Sequence, residues 1–209
     1  MSDGSASKAE AFSLDALRSG DRAEFSRLVD AYSGKLYRLG LKMLNNPQDA
    51  EDILQEAFLK AYRGIRNFDG RSSLSTWLYR IVINEALMNL RRKQPDAVSI
   101  DEPDDSDQED SEPLQIVDWC CLPEDELMSA EVKSRLDAAI QRLPPRLRAV
   151  FLLREMDDLS TAETAAALNL TETAVKTRLS RARMRLREEL SAYFSERMGG
   201  QAYGSKSAL

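Results

Sequence analysis

The chain contains no histidine in 209 residues. That removes every triad built on an imidazole base and most catalytic zinc sites. Only two cysteines occur, Cys120 and Cys121, and adjacent thiols are neither a disulfide framework nor the two-residue spacing of a zinc ribbon. No apolar run approaches the ~18 residues of a membrane span, and Met1 to Glu10 is polar, unlike a signal peptide. A cytoplasmic protein without membrane insertion is expected. Also missing is any basic residue between 96 and 131, where 14 acids stand. That stretch is rich in Asp, Glu, Pro and Ser and too poor in apolar residues to bury a core, so it reads as a disordered acidic linker.

The linker also distorts the overall charge. A net charge of -6 argues against a nucleic-acid partner, because phosphates call for positive surface. Residues 1–95, however, hold 15 basic against 12 acidic residues (+3), and residues 132–209 hold 14 against 9 (+5). Two mildly basic lobes therefore flank an acidic strap. The length suits two small domains.

In the N-terminal lobe, Phe25, Leu28, Val29, Tyr32, Leu36 and Leu39 recur at helical spacing between Asp21 and Leu44. A second helix begins at Asn46-Pro47-Gln48-Asp49, with a capping Asn, Pro at the first position and an acid near the positive helix end. Its expected buried face is Ile53, Leu54, Ala57, Phe58, Ala61, Tyr62 and Ile65. The opposite face carries Asp49, Asp52, Glu56, Leu59 and Arg63, and the apolar Leu59 there hints at a partner surface. A Gly-containing loop, Phe68 to Ser73, leads into a helix capped by Ser72 or Ser73 that ends in a basic cluster. Phe68, Trp77 and Tyr79 interleave with Arg66, Arg71 and Arg80. That mixture suits single-stranded nucleic acid, with cations for phosphates and flat faces for bases, and is equally what buried aromatics beneath surface arginines would write.

In the C-terminal lobe, Val132 to Leu143 reads as a helix stopped by Pro144-Pro145, and Leu147 to Met156 as another. Ser160 can then cap a short helix, Thr161 to Leu168, and after a turn at Asn169-Leu170, Thr171 can cap a long one. Short helix, tight turn, longer helix is the helix-turn-helix outline. Ala174, Val175, Leu179, Ala182 and Leu186 form a packing side, while Lys176, Arg178, Arg181, Arg183, Arg185 and Arg187 supply six cations within twelve residues. A helix entering the major groove reads bases from its first turns and holds phosphates with flanking cations.

Taken in order, DAEDILQEAFLKAYRGI, FDGRSSLSTWLYRIVINEALMNLRRK and LPPRLRAVFLLREMDDLSTAETAAALNLTETAVKTRLSRARMRLREEL resemble a bacterial RNA polymerase sigma factor of the extracytoplasmic-function group. The resemblance implies an all-α fold of two small helical domains on a flexible acidic linker. Residues 1–20 become an extension, 21–95 sigma region 2, 96–131 the linker, 132–194 sigma region 4 and 195–209 a flexible tail. It implies that Asp49, Asp52, Gln55, Glu56, Leu59 and Arg63 dock on core RNA polymerase. It places minus-ten recognition and melting on Arg66, Phe68, Arg71, Trp77, Tyr79, Arg80, Asn84 and Arg91. Minus-thirty-five contacts fall on Thr173, Lys176, Thr177, Arg178, Ser180, Arg181 and Arg183, with Lys176, Thr177, Ser180 and Arg181 reading bases. Melting then needs no hydrolysis, because capture of a flipped base offsets an unstacking cost of a few kcal/mol. The implied partners are core polymerase, promoter DNA and an anti-sigma factor. No catalytic residue, cofactor, metal or small-molecule substrate is implied.

The acidic strap has three readings: a solvated spacer, a phosphate mimic in a cationic nucleic-acid channel of the polymerase, or a brake on DNA binding by the free protein. Trp119-Cys120-Cys121 has no counterpart in the resemblance. Two other function classes stay open on the residues alone: a stand-alone helix-turn-helix regulator, and a metal-dependent hydrolase using Asp157 and Asp158.

Overall fold

The computed structural model describes residues 12–93 and 130–201. The acidic linker, with Trp119, Cys120 and Cys121, therefore lies almost wholly outside the described residues. All regular structure among the described residues is helical.

The N-terminal lobe begins with a helix that periodicity alone did not reveal, α1 (Leu14–Ser19). Six residues are too few to display a helical repeat. It is nonetheless built in: the Ser13 side chain accepts from the Ala16 amide, Leu17 is buried, and Gly20 ends it in the left-handed region at φ 86°. Within the expected N-terminal extension, residues 13–20 thus have a defined structure.

In α2 (Arg22–Leu44), the Asp21 carboxylate accepts from the amides of Ala23 and Glu24 at 2.8 and 3.2 Å. In α3 (Pro47–Gly64), Asn46 takes the Asp49 amide at 3.2 Å, and Pro47 has no amide to leave unpaired. In α4 (Leu74–Lys93), Ser73 is the cap, accepting from Thr76 N at 3.0 Å. These three helices pack pairwise around Leu28, Leu36, Leu39, Met43, Ile53, Ala57, Ala61, Leu78 and Val82. Gly40 sets the α2–α3 approach, since a Cβ there would lie 3.1 Å from Ile53 Cδ1.

The C-terminal lobe comprises α5 (Ala130–Arg142), α6 (Pro145–Phe151), α7 (Thr161–Leu168) and α8 (Glu172–Gln201). The expected single helix to Met156 is two pieces, because Leu152–Met156 widens into a π-type turn closed by Asp157 N donating to Leu152 O at 3.1 Å. The last helix also runs past the expected boundary at residue 194. Leu147, Val150, Leu153, Val175, Leu179, Ala182 and Leu186 form the buried centre of this lobe.

The lobes touch, which nothing in the pattern of residues announces. The helix α4 lies along α7, and the C-terminal part of α2 meets α5 and α6. One apolar cluster runs through both lobes, from Leu39, Met43 and Tyr79 to Ile140, Leu143 and Leu153. Polar ties reinforce it. Lys42 pairs with Asp137, Gln141 donates to Lys42 O at 2.6 Å, and the Tyr79 hydroxyl donates to Asp157 Oδ1 at 3.1 Å. Arg148, only 7% exposed, donates to Met43 O at 2.6 Å and to Leu143 O at 3.0 Å, and also reaches Gln141. Its guanidinium thus satisfies carbonyls at the ends of two helices from different lobes, where the helix dipole favours a cation. Burial lowers the Arg148 pKa from its ordinary value.

Replacing Arg148 by Met should leave those carbonyls unpaired and lower stability by about 2–3 kcal/mol, measured by urea unfolding. The capping box of α7 gives a pH-dependent counterpart. Hydrogen bonds from Ser160, side chain and backbone, hold the Glu163 carboxyl below its ordinary value of 4.5. A lowered acid contributes stability above its unfolded pKa and loses it as pH falls through the folded one. The stability gap between the wild type and Glu163→Gln should therefore narrow as pH drops below about 4.5.

Candidate nucleic-acid interface

The C-terminal pair of helices is joined as the helix-turn-helix outline requires. Asn169 takes the left-handed conformation at φ 53°, closing α7 through its amide to Ala165 O. Thr171 Oγ1 then accepts from Ala174 N at 3.1 Å, starting α8. Val175, Leu179, Ala182 and Leu186 point into the core, which turns Thr173, Lys176, Thr177, Ser180 and Arg181 to solvent along one side of the first turns of α8. Arg178 is half-buried, and Arg183 is held by Glu155 at 2.7 Å. The expected set therefore divides into five exposed residues at the tip and two cations engaged with the protein or partly covered.

In the N-terminal lobe, a 3-10 turn at Ile65–Asn67 leads to the loop before α4. The loop is shaped locally: Asp69 accepts from the Arg71 amide at 3.1 Å and pairs with the Arg71 guanidinium, and Gly70 adopts φ 76°. Arg66, Arg71, Arg80, Asn84 and Arg91 are exposed. The aromatics are not. Phe68 (6% exposed) and Trp77 (8%) pack on each other at 5.1 Å, and Gly64 leaves room for the Trp77 ring. Both rings are core, the second of the two arrangements that interleaved aromatic and arginine letters allow, and their assignment to DNA rests on the resemblance alone. Thr76 is buried too, with its hydroxyl 2.7 Å from Ser73 Oγ. Tyr79 is buried at the lobe boundary. Burial first, and then the charge of Asp157, push its phenol pKa well up, while burial raises the Asp157 carboxyl.

The outer face of α3 carries Asp52, Gln55, Glu56, Leu59 and Arg63. Leu59 is 49% exposed. Tyr62, expected in the core, is exposed three residues on, its ring edge-on to Phe25 at 4.9 Å. It extends the apolar patch around Leu59. Asp49 is committed elsewhere, since Lys93 Nζ reaches its two oxygens at 2.7 and 2.6 Å and ties the start of α3 to the end of α4.

Two family models match the chain: Sigma-70 region 2 over residues 28–95, and Sigma-70, region 4 over residues 133–186. The ECF RNA polymerase sigma factor SigW of Bacillus subtilis is 39% identical over 178 residues, which cover 83% of this chain and 92% of the relative. The chain belongs to the extracytoplasmic-function sigma factors. The RNA polymerase sigma-H factor of Pseudomonas aeruginosa is 32% identical over 185 residues, covering 88% of this chain and 94% of that one. Among solved structures, CnrH in complex with the cytosolic domain of CnrY matches with a TM-score of 0.61 at 23% identity, over 86% of this chain and 95% of that one. The sigma factor RpoE of Bartonella quintana, in complex with the anti-sigma factor NepR, matches with a TM-score of 0.57 at 23% identity, over 80% and 97%. These two likenesses concern the fold.

Region 2 of this sigma factor comprises most of α2, with α3 and α4, and region 4 comprises α5 to the middle of α8. The helix α1 precedes the matched span. The family is one of transcription initiation factors that typically have no catalytic activity. Asp157, considered above for metal-dependent hydrolysis, instead receives the Tyr79 hydroxyl. Among the described residues no group of three or more His, Cys, Asp or Glu could hold a metal ion, and no helix is long and apolar enough to cross a membrane.

Because five polar residues project from the tip of α8 and Arg183 is tied to Glu155, substitution should separate them. Lys176→Ala or Arg181→Ala is expected to relax preference in the upstream promoter element by about 1–3 kcal/mol. Arg183→Ala should weaken binding to all sequences about equally, read in competitive binding of duplex libraries by holoenzyme.

Proposed function

We propose that this sigma factor binds core RNA polymerase through the outer face of α3, reads the minus-thirty-five element with α8, and reads and melts the minus-ten element with the loop 68–73 and α4. The observation that carries this reading is the presence, in one chain of the family, of two exposed faces of different chemistry. The face on α3 is acidic around an exposed Leu59, the composition of a protein-docking surface with an apolar centre. The tip of α8 is polar and cationic, on a helix-turn-helix. Base capture by the N-terminal lobe supplies the melting energy, and the nucleotide chemistry belongs to the polymerase. The protein acts in the cytoplasm as a non-enzymatic, dissociable subunit. It serves a stress or envelope response under control of an anti-sigma factor; a sigma factor of similar fold has been solved in complex with an anti-sigma factor.

The closed arrangement bears on how this works. Two promoter elements two turns of duplex apart are separated by about 70 Å. Lobes joined by Arg148 and by the Tyr79–Asp157 hydrogen bond cannot reach both, so polymerase binding must part them. Parting frees Tyr79 and the α4 surface beside it. A regulator that bridges the lobes would act in the opposite direction and keep these faces covered.

Run-off transcription with purified core polymerase tests the reading: the protein should direct specific initiation, whereas a stand-alone regulator would bind duplex and start no transcripts. Asp52→Arg with Glu56→Arg should abolish polymerase binding and leave the circular dichroism spectrum unchanged. Asp157→Ala removes one inter-lobe tie without touching region 2. It should increase the radius of gyration of the free protein in small-angle scattering while leaving transcription by pre-formed holoenzyme within about twofold.

A further inference from the structure

The loop proposed to read the minus-ten element is held from a place outside the matched region 2. Arg18, on α1, donates from Nη2 to the carbonyl of Phe68 at 2.7 Å, across 50 residues of chain. The contact is partly buried, and the helix that carries it is firmly seated. Ser13 N donates to Glu24 Oε1 at 2.8 Å, Leu17 is in the core, and α1 packs against the 3-10 turn Ile65–Asn67 that leads into the loop. Gly20 at φ 86° turns the chain between α1 and α2, and a Cβ there would lie 3.6 Å from Arg66 Nη2, so the turn runs beside the loop entrance. Phe68 itself is fixed on three sides: its amide donates to Ile65 O at 3.1 Å, its ring packs on Trp77, and its carbonyl receives Arg18. Immediately after it come Asp69, Gly70 and Arg71, which are exposed.

We infer that Arg18 is a positioning residue for minus-ten recognition: by holding the Phe68 carbonyl it sets the path on which the exposed segment 69–71 leaves the core. A loop that captures an unstacked base loses affinity to the extent that it must first be ordered, and a charge-assisted hydrogen bond to the residue before the exposed segment removes part of that cost in advance. Lys could donate one hydrogen bond to the same carbonyl, but without the planar fork that holds the guanidinium in register. The helix that carries Arg18 packs on α2 and on the 3-10 turn before the loop, and the residue's other close charge, Asp15 at 3.8 Å, lies on α1 itself. Its effect should therefore be confined to the downstream element. This inference rests on the sigma reading of the loop.

The experiment uses holoenzyme assembled from core polymerase and full-length protein. A downstream element is first selected by wild-type holoenzyme from a randomised promoter pool. Single-stranded non-template oligonucleotides of that sequence, and of single-base variants, are then titrated against wild type, Arg18→Ala and Arg18→Lys. Arg18→Ala should bind the selected strand about fivefold to tenfold more weakly, with the loss concentrated at one or two base positions, and Arg18→Lys should recover part of it. Affinity for core polymerase and preference in the upstream element should not change. An Arg18→Ala protein that equals wild type on the oligonucleotides overturns the inference, as does one whose loss is the same at every base or extends to polymerase affinity, since that would mark a general contribution to folding. Failure of the wild type to select any downstream element would instead overturn the reading of the loop, and this inference with it.

Discussion

The contact between the lobes depends on one buried cation without a carboxylate. Arg148 spends its hydrogen bonds on carbonyls, one at the end of α2 and others where α5 stops at Leu143. Both helix ends would otherwise leave acceptors unpaired in an apolar surround, so the guanidinium and the two helix termini answer each other's need. That arrangement differs from a buried ion pair. Removing a carboxylate partner strands a full charge, whereas carbonyls parted from Arg148 can be taken up by water once the lobes separate. A junction of this kind orders the closed form without making it irreversible.

The second polar tie has the same character. The Tyr79 hydroxyl and the Asp157 carboxylate are both shifted upward by burial, so each group sits in surroundings that disfavour its charged form. The hydrogen bond between them, together with Arg38 and Lys35 nearby, recovers part of that cost for Asp157. Opening returns both groups to water, where neither carries the penalty. The apolar cluster across the boundary supplies the attraction. Its polar ties orient the contact and would leave buried acceptors unpaired if lost one at a time, and the balance can be moved by a partner that binds one lobe better than the other.

Helix caps were the most legible part of the fold. Asn46, Ser160 and Thr171 each sit where a side-chain oxygen meets a free amide, and the structure uses all three. The tip of α8 was legible for a similar reason: apolar residues at Val175, Leu179, Ala182 and Leu186 leave only one face for Lys176, Thr177 and Arg181. What could not be read is what depends on distant segments. Whether Phe68 and Trp77 face in or out is decided by Gly64 and the packing of α3, and the letters alone are the same in either case. Tyr62, edge-on to Phe25, stays exposed, which depends on a helix far away in sequence. The helix α1 is too short for a period, and its tie from Arg18 to Phe68 links residues that share no local pattern.

The helix α4 explains why its faces were the hardest to assign. It packs against α2 and α3 on one side and α7 on another, and it ends in Arg91, Arg92 and Lys93, one of which is bound to Asp49. A helix covered on two sides has no single apolar stripe, so periodicity cannot say which residues are exposed. On the proposed reading the same surface serves twice. Tyr79 is held by Asp157 in the closed form and lies beside Arg80 in the part of α4 assigned to the minus-ten element. Promoter DNA and α7 then compete for one face. Competition of that kind couples separation of the lobes to capture of the downstream element, because each base contact made by α4 also removes a site at which α7 could return.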